Sequence, residues 1–328
     1  MYTPPFTIND EILGLVSEIS EQIGALNVML GNRMPSPVLR KENQIKTIHS
    51  SLAIEHNSLS LQQVTDIIEG KHVLGAPNEI QEVKNAVQAY QLMQQLDAFN
   101  EKDLLKAHRL MMQDLVDKSG QYRTEGVGVF DGDKCIHMAP PPQRVPELIG
   151  DLFTWLRTTD AHPLISSCVF HYEFEFIHPF LDGNGRMGRY WQTMILARWK
   201  SIFAWLPVET MVKQHQQEYY NAIARSDAAG DSTAFILFML KCILDTIKEE
   251  SRVTDKENDV GVSVGVNVGV NERKILELLA NDSSLSARKI APQLGITQRQ
   301  AERLFASLKQ KNLIRRIGSD KNGYWEVL

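Results

Sequence analysis

The sequence predicts a mainly helical protein with one β-hairpin and a small winged helix-turn-helix domain at its C-terminal end. Three observations lead there. Apolar residues recur at spacings of three and four through most of residues 1–250. One stretch, Arg123 to Met138, alternates around an Asp-Gly turn instead. Composition and charge then change together beyond Glu250. The chain has 328 residues, 43% hydrophobic and 23% charged, with a net charge of −5, an ordinary globular composition for which length makes about two domains the prior. That net charge is a sum of opposites. From Asn271 to Leu328 eleven Lys and Arg face six acids, so this segment carries +5 and the rest −10.

Taken in order, the elements have local causes. Ser60-Leu61-Gln62-Gln63 is a capping box, and Gly70 supplies a helix stop. Leu104, Leu110, Met111 and Leu115 form a helical stripe with His108 on the same face, and Leu148, Leu152, Phe153 and Leu156 form another. In the hairpin, Val127, Val129, Ile136 and Met138 flank Asp131-Gly132-Asp133, and Pro140, Pro141 and Pro142 end it. So small a hairpin is not stable alone and lies over something. Leu164 to Ile177 reads as a helix stopped by Pro179, and Met187 to Arg198 as the next. The run from Thr193 to Val208, broken by Arg198, Lys200 and Pro207, is a core helix followed by a turn.

The repeat Gly261-Val262, Gly265-Val266-Asn267, Gly269-Val270-Asn271 disfavours a helix, so residues 251–271 read as a linker. Beyond it, Leu285 to Leu294 and Thr297 to Gln310 make a helix pair around the corner Leu294-Gly295-Ile296-Thr297, with a capping box at Thr297 to Gln300. Leu313 to Ile317 and Tyr324 to Val327, joined through Lys321-Asn322-Gly323, form a wing. Ile275, Leu278, Leu279, Ile290, Leu294, Leu304 and Leu308 are its expected core.

Several function classes fall away. Cys135, Cys168 and Cys242 are far apart and lack CxxC spacing, which disfavours a disulfide framework or thiolate zinc site and favours a reducing, cytoplasmic setting. Met1 to Asp10 lacks a basic and then apolar run, and no stretch of about 18 apolar residues occurs, so secretion and membrane spanning are disfavoured.

The chemistry concentrates in His178-Pro179-Phe180-Leu181-Asp182-Gly183-Asn184-Gly185-Arg186-Met187-Gly188-Arg189. A glycine loop leading into a helix aims free N–H groups and the positive dipole end at one point, an anion site. Arg186 and Arg189 share a face beside it, and two guanidinium forks suit a polyphosphate better than a lone carboxylate. Asp182 offers a hard oxygen for the Mg²⁺ that accompanies a polyphosphate. His178 is the side chain suited to accepting a proton near neutral pH. Singly, each residue reads as a cap, a surface turn or a solvated arginine; together at a helix entrance they read as a phosphate site.

Two other patterns are weaker. Gly183 to Gly188 matches GxGxxG, with Glu209 near the place of a ribose-binding acid, but Cys168, Val169, Tyr172 and Phe176 have helical spacing where that fingerprint needs a strand. His171, Glu175 and His178 resemble a metal trio, yet His178 lies beyond the helix end, and His171 reads as structural.

At these residues the chain resembles the Fic family, whose motif HPFx[DE]GNGRxxR is met at every specified position by His178 to Arg189. The resemblance covers about residues 1–250, including Gly120-Gln121-Tyr122-Arg123, Tyr219-Tyr220 and Gly230-Asp231. It implies a Fic-type helical core with a β-hairpin flap, divided into an N-terminal helical region at 1–95 with an inhibitory helix and a catalytic core at 96–250; the linker at 251–271 and the winged helix-turn-helix at 272–328 lie beyond it and rest on the residue patterns above. The implied activity is transfer of AMP from ATP to a Ser, Thr or Tyr hydroxyl of a target protein, with release of pyrophosphate. His178 would be the catalytic base and Asp182 the Mg²⁺ ligand. Gly183, Asn184, Gly185, Arg186, Met187, Gly188, Arg189 and Tyr220 would bind nucleotide, with Arg189 at the γ-phosphate. Doc-like members, which phosphorylate, carry Lys where Gly185 stands, so adenylylation is favoured. Lys134, Cys135, Ile136 and His137 of the flap would pin the target by strand addition.

Ser51-Leu52-Ala53-Ile54-Glu55-His56-Asn57 resembles the family's inhibitory helix, [ST]xxxE[GN]. Ser51 and Glu55 would then act as a brake, with Glu55 on Arg189 in the γ-phosphate's place. His56 departs from the pattern, which has Gly or Asn there. In the C-terminal module, Gln298, Arg299, Arg303 and Lys309 would enter a major groove and Lys321 would meet the backbone, making DNA a second partner. The rival reading is a DNA-binding regulator whose Fic core senses nucleotide. A homo-oligomer stays open.

Overall fold

The computed structural model describes residues 2–30, 35–131, 134–260, 269–318 and 323–328, with backbone alone for 129–131, 134–137 and 255–260. In chain order the elements are α1 (Asp10–Met29), α2 (Pro37–Ile54), α3 (Leu61–Ile68), α4 (Pro77–Leu92), α5 (Glu101–Met111), β1 (Gly128–Asp131), β2 (Lys134–Met138), α6 (Val145–Thr158), α7 (Pro163–Ile177), α8 (Asn184–Trp199), α9 (Val208–Gln214), α10 (Gln216–Ala229), α11 (Thr233–Val260), α12 (Val270–Asn281), α13 (Ala287–Gln293), α14 (Gln298–Gln310), β3 (Ile314–Ile317) and β4 (Tyr324–Val327). The protein is mainly helical, and no helix among the described residues is long and apolar enough to cross a membrane.

The centre is α7 against α8. Most residues of α7 are buried, including His171 and Glu173, with Phe176 near its end exposed, so this helix must be wrapped by others along most of its length. Gly188 of α8 lets the two approach closely, since a Cβ there would press on the His171 ring. Trp191 of α8 is fully buried and donates its indole N–H to the Ala98 carbonyl at 3.0 Å, tying the core to the turn before α5. Around the centre, α1 lays the stripe Ile12, Ile19, Ile23 and Leu26 along α11, each burial contributing about 1.5–3 kcal/mol. Of the expected stripes, Leu104, His108 and Met111 of α5 and Leu152, Phe153 and Leu156 of α6 are buried, while Leu110, Leu115 and Leu148 are only partly buried.

Local signals explain most boundaries. Ser60 and Gln63 close the capping box of α3, and Gly70 follows that helix at φ 75°. The hairpin pairs Gly128 with Met138 and Asp131 with Lys134, with a register shift between Val129 and Phe130. Its expected turn residues Gly132 and Asp133 lie outside the described residues, as do the side chains of Lys134, Cys135, Ile136 and His137.

Two boundaries differ from expectation. Helix α8 begins at Asn184, because the Gly183 carbonyl already accepts from the Met187 N–H. Helix α11 runs to Val260, well into the expected linker 251–271, because the polar run after Glu250 is rich in good helix formers such as Arg252, Lys256 and Glu257. Residues 261–268 of the Gly-Val repeat lie outside the described residues, and Gly269 caps α12.

The C-terminal module is three helices followed by the antiparallel pair β3–β4, in which Ile314 faces Val327 and Ile317 faces Tyr324. Ile275, Leu279, Ile290 and Leu308 are buried in its core with Leu276, Phe305, Leu313 and Ile314, while the expected Leu278, Leu294 and Leu304 pack only partly buried around them. Lys321 lies outside the described residues.

Candidate active site

The loop between α7 and α8 is fixed from inside. Helix α7 ends at His178, which takes a left-handed conformation (φ 50°, ψ 62°) that is uncommon for a residue with a Cβ. Pro179 follows and cannot continue the helix. The Asn184 carboxamide then braces the turn, accepting from the Phe180 N–H and donating to the Phe180 carbonyl, both at 2.9 Å. The buried Phe180 ring stacks on His108 with centroids 3.6 Å apart. His108 accepts from the Gly120 N–H at Nδ1 (2.8 Å), which leaves Nε2–H to donate to the Asp182 carbonyl (3.0 Å). Burial pushes the His108 pKa down to about 4, so the ring is neutral at pH 7. At Gly183, φ is 82° and a Cβ would run into the Met112 side chain. The backbone that faces a ligand is therefore set before one arrives.

The two arginines of the opening turns are buried and hold different partners. Arg186 donates to Glu82 Oε1 (3.1 Å) and Asp182 Oδ1 (3.2 Å). Arg189 donates from Nε to Ser51 Oγ (3.1 Å) and from Nη2 to the Ser51 carbonyl (3.0 Å) and Glu55 Oε1 (2.8 Å). Arg186 Nε and Arg189 Nη1 are buried without a hydrogen-bond partner, which is spare capacity for an anion. Glu55 lies over the helix entrance, because a Cβ on Gly185 would overlap its Oε1. Partial burial works to raise the Glu55 pKa, but the charge and hydrogen bond of Arg189, with Arg186 and His56 behind, hold the carboxyl below its usual range.

Glu55 is held there by the end of α2. Glu55 is the C-cap, His56 follows at φ 70°, the His56 N–H bonds the Ala53 carbonyl (3.3 Å) and the Asn57 N–H the Leu52 carbonyl (3.1 Å). This is a Schellman ending with histidine where glycine is usual. The last carbonyls are also held from outside: Lys213 of α9 donates to Ala53, and Gln216 of α10 to Ile54, at 2.8 and 3.0 Å. Asn57 donates to Glu82 Oε2 (2.7 Å), so Glu82 links the α2 end to Arg186.

His178 presents its ring at the mouth of the loop, with its side chain 22% exposed. Its Nδ1 faces the Glu175 carbonyl at 3.3 Å, so Nδ1 carries the proton and Nε2 is the basic nitrogen. Asp182 accepts from the Gly183 N–H at 2.6 Å through Oδ1, and its side chain is 57% exposed.

The Fic/DOC family model matches residues 98–196, which span this loop. A solved Fic family protein from Desulfovibrio desulfuricans is 44% identical, with a TM-score of 0.75 over 100% of this chain and 98% of that one. This chain belongs to the Fic family. A C. elegans Fic structure, 22% identical, matches with a TM-score of 0.61 over 75% of this chain and 72% of that one, a likeness of fold. The protein adenylyltransferase Fic of Nematostella vectensis is 28% identical over 245 residues, 71% of this chain and 55% of that one. The chain spans about half the length of the curated relatives it matches, 55% and 45% in two of them.

Against the Fic motif, the structure gathers His178, Asp182, Gly183, Asn184, Gly185, Arg186 and Arg189 around one helix entrance, with Ser51 and Glu55 opposite. Two expected nucleotide positions in the opening turns of α8 face inward. Met187 is fully buried and Gly188 faces His171, because helical rotation turns both toward α7. Tyr220 is partly exposed, and its hydroxyl donates to the Ile54 carbonyl at 3.4 Å, beside the end of α2. His171 bonds Gln192 Oε1 (2.6 Å) and the Tyr219 hydroxyl (3.2 Å), and burial pushes its pKa down to about 3, so it is a packed neutral ring. Among the described residues no group of three or more His, Cys, Asp or Glu is placed to hold a metal. Arg299 and Arg303 are exposed one turn apart on α14, where Gln298 bonds Glu302. Sequence reasoning missed Glu82, which lies in no local pattern, and named Arg123 within Gly120-Gln121-Tyr122-Arg123 without giving it a role, since that pattern does not announce its partners.

Proposed function

We propose that this Fic protein is an adenylyltransferase that moves AMP from ATP to a Ser, Thr or Tyr hydroxyl of a target protein and is restrained by Glu55. The observation that carries this reading is the Glu55 carboxylate seated on Arg189 above Gly185: the helix entrance already holds an anion, and it is the protein's own. Curated relatives of matching sequence bear the name protein adenylyltransferase Fic.

In the reaction, His178 Nε2 takes the proton of the attacking hydroxyl, a role contributing typically about 10²–10⁴-fold. The oxygen forms a bond to the α-phosphorus, the bond to the bridging oxygen breaks, and pyrophosphate leaves. Arg186, Arg189 and the first N–H groups of α8 stabilise charge on the phosphates as it develops. Asp182 fits a Mg²⁺ ligand, being a largely exposed carboxylate at the loop mouth; one carboxylate with phosphate oxygens and water is a common magnesium set. When bound, the ion neutralises phosphate charge. With Glu55 on Arg189, the γ-phosphate has no seat in the orientation that aims the α-phosphate at His178. The hairpin would serve as a flap that pins the target segment by strand addition.

The test is incubation with α-phosphate-labelled ATP and Mg²⁺, comparing wild type, Glu55→Gly, and Glu55→Gly with His178→Ala. Label should rise in the first variant and vanish in the second. Label that persists without His178 overturns the mechanism.

The exposed pair Arg299 and Arg303 beside β3 and β4 supports reading the C-terminal module as a winged helix that contacts duplex DNA. Affinity of the full chain for duplex should then fall steeply with salt and lose slope in Arg299→Ala with Arg303→Ala; salt-independent binding overturns this.

A further inference from the structure

Arg123 is a large charged side chain that a surface loop between α5 and β1 sends into the interior, where it is 2% exposed. An arginine so buried is normally paired with a carboxylate. The Arg123 guanidinium instead spends its donors on four backbone carbonyls. Nε donates to the His178 carbonyl at 2.7 Å, Nη1 to Glu125 at 2.9 Å, and Nη2 to Pro140 at 2.6 Å and Ile177 at 3.2 Å. The Arg123 N–H adds a bond to the Pro179 carbonyl at 2.9 Å.

These acceptors belong to two separate structures. Ile177 and His178 close α7, whose last carbonyls have no helical partner, and a cation at a helix C-terminus suits the dipole. His178 is the residue strained into the left-handed region there. Glu125 and Pro140 stand on either side of the hairpin, one before β1 and one after β2. A planar fork with fixed donor directions reaches all four at once, which the single ammonium of a lysine does not.

We propose that Arg123 is a positioning residue of the transfer reaction: it fixes the turn that carries the His178 ring and, through the same guanidinium, both roots of the hairpin, so that base and flap keep one distance. This rests on the adenylyltransferase reading above. The nucleotide seat does not depend on Arg123, because Arg186 and Arg189 are held by Glu82, Asp182, Ser51 and Glu55. The effect should therefore fall on turnover and on the acceptor, and leave ATP binding alone.

The experiment compares Glu55→Gly with Glu55→Gly plus Arg123→Lys, and plus Arg123→Met, in the full chain. The lysine variant should bind ATP with a Kd within about twofold of the parent, while kcat for label transfer falls about 100-fold, the scale of a 1 Å misplacement. The methionine variant should lose at least as much, and a lysine variant closer to the parent than the methionine variant identifies the hydrogen bonds as the cause. Hydrogen exchange is read alongside, independently of activity. In Arg123→Lys it should rise together in peptides containing Glu125, Pro140 and His178 while α8 stays protected. Parental kcat in the lysine variant, or exchange that changes at one root only, overturns the proposal. If kcat, the Kd for ATP and α8 protection all fail together, Arg123 is a general stabiliser and the proposal is equally wrong. A parent that labels nothing overturns the adenylyltransferase reading instead, and the exchange data still decide the clamp.

Discussion

Glu55 Oε1 sits 2.8 Å from Arg189 Nη2, at the end of one helix and the beginning of another that are 134 residues apart in sequence. The Glu55 side chain is 34% exposed while Arg189 is buried. The pair is thus a lid of one carboxylate on an otherwise closed guanidinium. Its contribution depends on charge and on the placement of the α2 end together, and the two can be separated.

Replacing Glu55 with Gln keeps the size and one accepting oxygen but removes the charge. Label transfer should follow the order Glu55→Gly, then Glu55→Gln, then wild type, with the glycine variant about tenfold or more above wild type, a shift of about 1.4 kcal/mol or more. Equal rates in all three overturn the brake. Because the Glu55 pKa is held below its usual value, the pair contributes stability above the ordinary glutamate pKa and loses it only as pH falls through the lower folded value. The ratio of wild type to Glu55→Gly should therefore stay flat between pH 6 and pH 8, measured by initial rates.

His56 carries a left-handed backbone that glycine adopts without strain, at an expected difference of about 1 kcal/mol. His56→Gly should raise Tm and lower basal labelling, since the α2 end it tightens presents Glu55. A variant with higher Tm and higher labelling would separate helix ending from brake.

Glu209 lies buried behind Arg189, where burial above all pushes its pKa up to about 7 against the pull of Arg189, Thr193 and Tyr90. A carboxyl raised in the folded state favours folding at low pH, and that contribution is lost as pH rises from about 4.5 towards 7. Glu209→Gln should remove this loss, making the variant more stable than wild type at pH 8 by up to about 3 kcal/mol. Urea unfolding at pH 5 and pH 8 reads the difference, which should narrow at pH 5.

Gly183 and Gly230 both have positive φ, 82° and 62°, but a Cβ meets Met112 at the first and open space at the second. Alanine at Gly230 should cost only the conformational term, about 1 kcal/mol. Alanine at Gly183 should cost more and abolish labelling by moving the loop. Equal Tm losses would show that Met112 yields freely.

Much of the site was legible because it is local. The twelve residues from His178 to Arg189 hold their own turn signals: Pro179 stops a helix, Gly183 allows the left-handed step, and Asn184 returns to Phe180 four residues away. The capping boxes at Ser60 and Thr297 were legible for the same reason. The extension of α11 was not, because the glycine repeat beyond it marked the boundary more loudly than helix-forming Glu, Lys and Arg before it. The inward turn of Met187 and Gly188 was not legible, because a motif names positions without saying which way a helix turns them.

By itself the sequence determined the helical class, the hairpin, the glycine loop and its arginines, since each is encoded by spacings shorter than two helical turns. Only the tertiary structure decided that Glu82 and Asp182 meet Arg186, that Glu82 joins Asn57 to Arg186 across 104 residues of sequence between Glu82 and Arg186, and that Arg123 serves four carbonyls. Such contacts follow from burial: a charge drawn into the interior must find its partners wherever packing places them, and that is set by the whole fold.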